Sequence, residues 1–206
     1  MKYLFLLPAL LLAGSQATAA DLTVAVSDAG GKPVPNTVVT WIPAAGAAIP
    51  AAEKGKVFVM SQQNVQFLPY VLAVPAGATV NFPNKDRVNH HVYSFSPVQP
   101  FQFPLYGKGK SHIMKFDRPG TVALGCNIHD SMAAYIRVVD TPFYATTDGT
   151  GRVMLKVPDG AGSLAIWHPG LDAPEHQMAR ALKLAGPSAQ TFSVKVRPSA
   201  PTAGQY

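Results

Sequence analysis

Val122-Ala123-Leu124-Gly125-Cys126-Asn127-Ile128-His129-Asp130-Ser131-Met132 leads, after two alanines, into Tyr135-Ile136-Arg137-Val138-Val139. Apolar residues alternate up to Cys126 and resume after Met132, so the stretch reads as strand, short loop and strand. The pleat places Val122, Leu124 and Cys126 on one face, pointing toward an apolar interior. His129 then sits on the loop between the strands. A thiol, an imidazole and a thioether spaced C-x-x-H-x-x-M can turn three donors toward one point.

A second histidine precedes them within Val88-Asn89-His90-His91-Val92. In a strand His90 would share the inward face with Val88 and Val92, while His91 would share the outward face with Asn89 and Tyr93. The donor set is then His90, Cys126, His129 and Met132. Two imidazoles, one thiolate and a weak axial thioether form the mixed set that holds copper in electron-transfer sites. Zinc is disfavoured, because structural zinc sites use Cys, His and carboxylate ligands. The sequence also lacks the C-x-x-C-H of a c-type haem.

Outward from this segment the chain reads as all-β. Its 206 residues are 48% hydrophobic and 14% charged, enough to bury a core and too apolar for disorder. Nineteen Pro and seventeen Gly are spread along the chain, which favours many short strands over long helices. Between residues 56 and 139 about seven short strands recur, around Val57, Leu72, Val80, His90, Met114, Leu124 and Arg137, as in a Greek-key β-sandwich. Flanking alternations at Leu22-Val24-Val26, Val38-Thr40-Ile42, Val153-Leu155-Val157, Leu164 to Trp167 and Phe192-Val194-Val196 predict a second small sandwich. The expected organisation is a leader over 1–20, a split accessory sandwich over 21–52 plus 141–198, the metal-bearing sandwich over 53–140 and a disordered tail over 199–206.

Lys2, the apolar run from Tyr3 to Leu12 and Ala17-Thr18-Ala19-Ala20 have the order of a secretory signal peptide. The run is too short to span a bilayer, so export to a periplasm with no membrane span after signal removal is expected. Cys126 is the single cysteine. An exported chain with one thiol closes no internal disulfide, leaving an intermolecular bridge, an inert buried thiol or a metal ligand. Its neighbours select the last. The formal charge of +6 has no basic block behind it, so nucleic acid is not an expected partner.

The C-x-x-H-x-x-M loop, the stretch Val74-Pro75-Ala76-Gly77-Ala78-Thr79-Val80-Asn81-Phe82-Pro83-Asn84 and Phe116-Asp117-Arg118-Pro119-Gly120-Thr121 together resemble the cupredoxins, and among them amicyanin and plastocyanin. The resemblance covers roughly residues 56–139 and implies one type 1 copper on His90, Cys126, His129 and Met132. In three places the chain departs from the family's usual pattern. His91 stands where Asn is usual, Gly125 where an aromatic often precedes the Cys, and Ile128 where amicyanin-like loops often carry Pro. The flanking segments resemble the halves of a transthyretin-like or carboxypeptidase-regulatory-like sandwich, and chains of this build resemble bacterial methylamine utilization proteins.

The implied function is a blue copper electron carrier, not an enzyme, with redox protein partners such as a c-type cytochrome or a periplasmic dehydrogenase. The His-x-His pairs of multicopper oxidases and the second Cys of a binuclear centre are both absent. A copper chaperone or storage module is the alternative, disfavoured by the lack of Met-rich or His-rich tracts. His129 is expected at the exposed edge of the site. Lys85, Arg87, Lys108 and Lys110 are expected on loops near that end, as ordinary surface charge or as steering groups for an acidic partner. Trp167-His168-Pro169 and Glu175-His176 read as a packed Trp with surface histidines rather than a further metal site, and His112 as structural.

Overall fold

The structure is a computed structural model that describes residues 19–197. Of the expected export signal only Ala19 and Ala20 fall among the described residues, where they open the first strand. The rest of the signal, and the tail expected over 199–206, lie outside them.

The chain is nearly all β, as its turn-rich composition predicts. Strands β1 (Ala19–Asp28) and β2 (Val38–Pro43) come first, followed by a single helical turn α1 (Ala51–Lys54). Ten strands follow: β3 (Val57–Val59), β4 (Ser61–Gln62), β5 (Phe67–Leu68), β6 (Val71–Pro75), β7 (Ala78–Pro83), β8 (Val92–Ser94), β9 (Phe101–Gln102), β10 (Ser111–Phe116), β11 (Gly120–Cys126) and β12 (Ala133–Val139). The chain closes with β13 (Phe143–Thr146), β14 (Arg152–Pro158), β15 (Gly160–Trp167), β16 (Gln177–Leu184) and β17 (Ser188–Val194).

Strands β3 to β12 pair within one set of sheets. A five-stranded sheet has the order β6-β12-β11-β8-β9, a three-stranded sheet the order β10-β7-β3, and β4-β5 form a small hairpin. Between the sheets lie Val80 and Phe82 of β7, Val122, Leu124 and Cys126 of β11, and Ala134, Ile136 and Val138 of β12, all buried. The period-2 alternation therefore sets which residues face inward. Phe82 sits at the centre of an aromatic group, 5.3 Å from Phe103, 5.8 Å from Phe101 and 6.4 Å from Phe116 between ring centroids.

Strands β1, β2 and β13 to β17 form the other set, with orders β14-β1-β17 and β13-β2-β15-β16 around a second core that includes Leu22, Val24, Trp41, Leu155 and Ile166. A third cluster of Val38, Val71, Val139 and Trp167 joins the two sets of sheets, with Tyr135 edge-on to Trp167 and the Arg137 guanidinium over the Trp167 ring. No helix among the described residues is long and apolar enough to cross a membrane.

Two local differences from the sequence reading bear on the site. The strand expected through Val88, His90 and Val92 starts only at Val92; His90 meets Tyr106 in an isolated antiparallel bridge, and Val88 is exposed. The cause is Asn84, whose buried side-chain amide donates to Val88 O and Tyr106 O and bends the chain into a loop. A short edge strand, β9, paired with β8, also forms where the sequence reading placed no strand.

Candidate metal centre

Strand β11 delivers Cys126 at its last residue, with its side chain 3% exposed. The following loop is shaped by backbone bonds. Asn127 N donates to His91 O (3.0 Å), His129 N to Cys126 O (3.4 Å) and Met132 N to His129 O (3.0 Å). These bonds curl the loop so that the His129 ring folds back over the cysteine. His90 arrives from the neighbouring connection, fully buried, and both its backbone groups bond to Tyr106.

The result is a compact donor cluster. Cys126 Sγ lies 3.7 Å from His90 Nδ1 and 3.5 Å from His129 Nδ1, and one ligand atom from each residue lies within 4.8 Å of the others. The two imidazole rings are 5.0 Å apart between centroids. An ion bound at about 2.0–2.1 Å from nitrogen and about 2.3 Å from sulfur, at trigonal angles, places those atoms about 3.6–3.8 Å apart. The spacing of the chain's own side chains thus fits one shared ion. Burial, followed by the neighbouring His90, holds the His129 imidazole below its usual pKa, which favours the neutral, lone-pair-bearing form.

Met132 is buried and belongs to the same apolar cluster as Cys126. It also lines a cavity of about 40 Å³ with Gln66, Phe67, Leu68, Tyr70, Ser131 and Ala133. His91 stands apart from the cluster, its Nε2 2.7 Å from the side-chain nitrogen of Gln102. His112 stacks on Phe103 at 4.6 Å and 10°, a packing role. Lys85, Arg87, Lys108 and Lys110 are all exposed, on the loops that Asn84 ties together through Lys110 O and Gly109 N.

Several residues that support the cluster escaped the sequence reading. Asp86 Oδ2 lies 2.8 Å from His90 Nε2, with its side chain only 11% exposed. Burial pushes the Asp86 carboxyl up, but the His90 hydrogen bond and the backbone N–H groups of Val65 and Asn64 outweigh it and hold the group below its ordinary value. Asn84 Oδ1 accepts from Asp86 N at 2.8 Å and so sets where that carboxylate stands. Deeper in, the Tyr106 hydroxyl donates to Gln62 Oε1 at 2.6 Å, and burial pushes its pKa up. The usable signal was an acid four residues before a candidate ligand histidine; the Gln62–Tyr106 pair spans 44 positions and has no local signature.

Gly125 shows how the missing aromatic is replaced. It pairs across the strands with Tyr93, and a Cβ built at Gly125 would stand 2.7 Å from both Cζ and the hydroxyl of Tyr93. The Tyr93 ring therefore occupies the space a side chain at 125 would need. Phe95, 79% exposed, packs on Tyr93 at 4.9 Å.

His168 and His176 lie elsewhere, in the second set of sheets, with no third donor grouped with them among the described residues. His168 is buried, not at the surface as expected; its Nδ1 accepts from Gly170 N, and burial, then the charge of His176, lowers its pKa to about 4. The folded chain keeps this ring neutral while the unfolded chain protonates it near 6.5. Stability should therefore fall as pH drops from about 6.5 to about 4 and level off below, by on the order of 3 kcal/mol. Denaturant melts of the His168→Asn variant should lose that slope; an unchanged slope would assign the acid sensitivity to other groups.

No family model and no curated protein sequence matches the chain. Among solved structures it is similar to a copper-containing nitrite reductase from Thermus scotoductus SA-01, at 25% identity over 57% of this chain and 28% of that one, with a TM-score of 0.40. It is also similar to a purple cupredoxin from Nitrosopumilus maritimus, at 22% identity over 41% of this chain and all of the other, with a TM-score of 0.37. A reduced amicyanin variant gives 20% identity over 50% of this chain and 99% of that one, with a TM-score of 0.39. The neighbours are cupredoxin structures at low identity. In this chain a buried thiol and two imidazole nitrogens converge on one point at the end of an all-β sandwich.

Proposed function

We propose that the protein is an exported type 1 copper protein of cupredoxin type, which carries single electrons between redox proteins. The observation that carries this reading is the convergence of His90, Cys126 and His129, with one ligand atom from each within 4.8 Å of the others and both Nδ1 atoms within 3.7 Å of Cys126 Sγ, in a site with two buried members. His90, Cys126 and His129 would hold the ion, with Met132 as the weak axial donor from the same loop. Bound there, copper supplies a one-electron couple.

The protein's contribution is rigidity and dryness. Cys126 is fixed by its pairing with Val92 of β8, His90 by two backbone bonds to Tyr106, and His129 by the turn bonds of its loop. Donors that cannot move keep the reorganisation accompanying electron exchange small, and the apolar wall of Leu124, Ala134 and Ile136 excludes water. His129 is the partly exposed member, and Ile128 beside it is 48% exposed. An apolar rim next to a ligand edge suits brief contact with a redox partner, such as a c-type cytochrome or a periplasmic dehydrogenase. The burial of Cys126 and His90 counts against a copper chaperone, which must hand its ion over.

In this reading residues 53–140 form the copper sandwich, inserted between the halves (21–52 and 141–198) of an accessory one. The methylamine-utilization type and the periplasmic location are parts of the same proposal. Titrating copper-loaded protein with ascorbate and then ferricyanide tests the function. The expected result is one electron per chain, taken up and returned reversibly with the copper retained. Loss of the ion on reduction would instead favour a storage role.

A further inference from the structure

A hairpin remote in sequence from every candidate ligand reaches the site through one carboxylate. Strands β4 and β5 are joined by residues 63–66, with Gln63 and Gln66 bonded to each other through both backbone groups. At the tip Asn64 and Val65 both take left-handed backbone angles, φ 57° and 54°. For a β-branched residue such as Val65 this conformation is a true outlier, kept only where the surroundings impose it. The surroundings here are Asp86, whose Oδ1 accepts from Asn64 N (2.6 Å) and Oδ2 from Val65 N (3.0 Å). The same Oδ2 faces His90 Nε2 at 2.8 Å.

We propose that Asp86 is the positioning residue of the metal centre: anchored by the left-handed turn at Asn64 and Val65, it holds the Nε2–H of His90 and so presents the Nδ1 lone pair to Cys126 before any metal arrives. The chemistry is that of a carboxylate acting as acceptor only. With two backbone N–H groups already pointing at it, it accepts a hydrogen bond from the Nε2–H of His90 and donates none in return. A neutral imidazole bonded this way has its lone pair on the other nitrogen, and that nitrogen is the one 3.7 Å from Cys126 Sγ. The backbone N–H bonds stop the carboxylate from rotating away, so the tautomer is built into the metal-free fold. The return strand of the same hairpin, Phe67 and Leu68, lines the small cavity against Met132, so one supersecondary unit braces both sides of the site.

Only the metal-affinity arm of the test rests on the copper reading. Nitrogen-15 spectra of the metal-free chain in mildly alkaline buffer should show His90 as the Nε2–H tautomer. The Asp86→Ala variant should show the two tautomers exchanging, and amide exchange at Asn64 and Val65 faster by at least about tenfold. Its copper affinity should fall about 10–100-fold. An Nδ1–H ring in the metal-free wild type overturns the proposal, and this result needs no variant to fold. A correct tautomer in wild type with unchanged tautomer and amide exchange in the variant overturns it equally. A wild-type chain with the expected tautomer that binds no copper refutes the copper carrier and leaves the positioning role intact.

Discussion

Replacing Cys126 by Ser should abolish the visible absorption of the copper-loaded protein and weaken copper binding by orders of magnitude, with the β-sheet circular dichroism unchanged. The two halves of that expectation have separate causes. The thiolate is the soft, charged donor of the set, and without it two imidazoles and a thioether remain, a poor match for the type 1 geometry. The fold should persist because Cys126 ends β11, and Ser is nearly isosteric with it in a ladder held by backbone pairs between β11, β12 and β8. The cost to the apo fold is confined to a buried hydroxyl beside two ring nitrogens able to bond it. Visible and circular dichroism spectra of wild type and variant, each with one copper equivalent, check both halves. Retained colour in the variant would remove Cys126 from the ligand set.

The second large effect concerns the sandwich under the site. Phe82 is fully buried, contacts three other phenylalanine rings and has Tyr106 Oη 3.0 Å from its carbonyl oxygen. Phe82→Ala removes most of the side chain from a cluster that cannot collapse without moving β7 against β10, and should cost about 3–5 kcal/mol. Because Tyr106 also brackets His90, the loss should reach the metal centre as weaker copper binding in the folded variant. Chemical denaturation followed by copper titration measures both. A loss below about 1 kcal/mol would mean that the aromatic cluster is looser than its ring spacings indicate.

The parts of this protein legible in its sequence are those fixed by short-range periodicity. The alternation of Val122, Leu124 and Cys126 set the inward face, and the offsets from Cys126 to His129 and Met132 set the loop. The accessory strands around Leu22 and Leu155 declared themselves by the same alternation, whereas Val38-Thr40-Ile42 located β2 but not its inward face, since Val39 and Trp41 are buried and Ile42 is exposed. Strand β16 did not declare itself. Gln177-Met178-Ala179-Arg180-Ala181-Leu182-Lys183-Leu184 is rich in helix formers and becomes a strand because β15 offers it a full antiparallel edge. Val88 fails for the opposite reason: it looks like a strand residue, yet the Asn84 amide captures its carbonyl and turns it outward. Asp86, Asn84 and the Gln62–Tyr106 pair were hidden because their roles exist only after distant loops meet, and a single polar residue in a loop carries no periodicity.

The same distinction explains Gly125. In the sequence it is a gap where an aromatic ring is often found; in the fold the gap is filled from β8 by Tyr93. Contact across a ladder replaces a side chain on the strand itself, a substitution visible only once the register of β8 against β11 is known.

X-ray absorption at the copper edge of the loaded, full-length protein tests the central claim most directly. The shell expected around the ion contains one close sulfur and two imidazole nitrogens, with the sulfur lost in Cys126→Ser. A shell of nitrogen and oxygen alone in the wild type would contradict the account, because it would place the ion away from the only thiol in the chain.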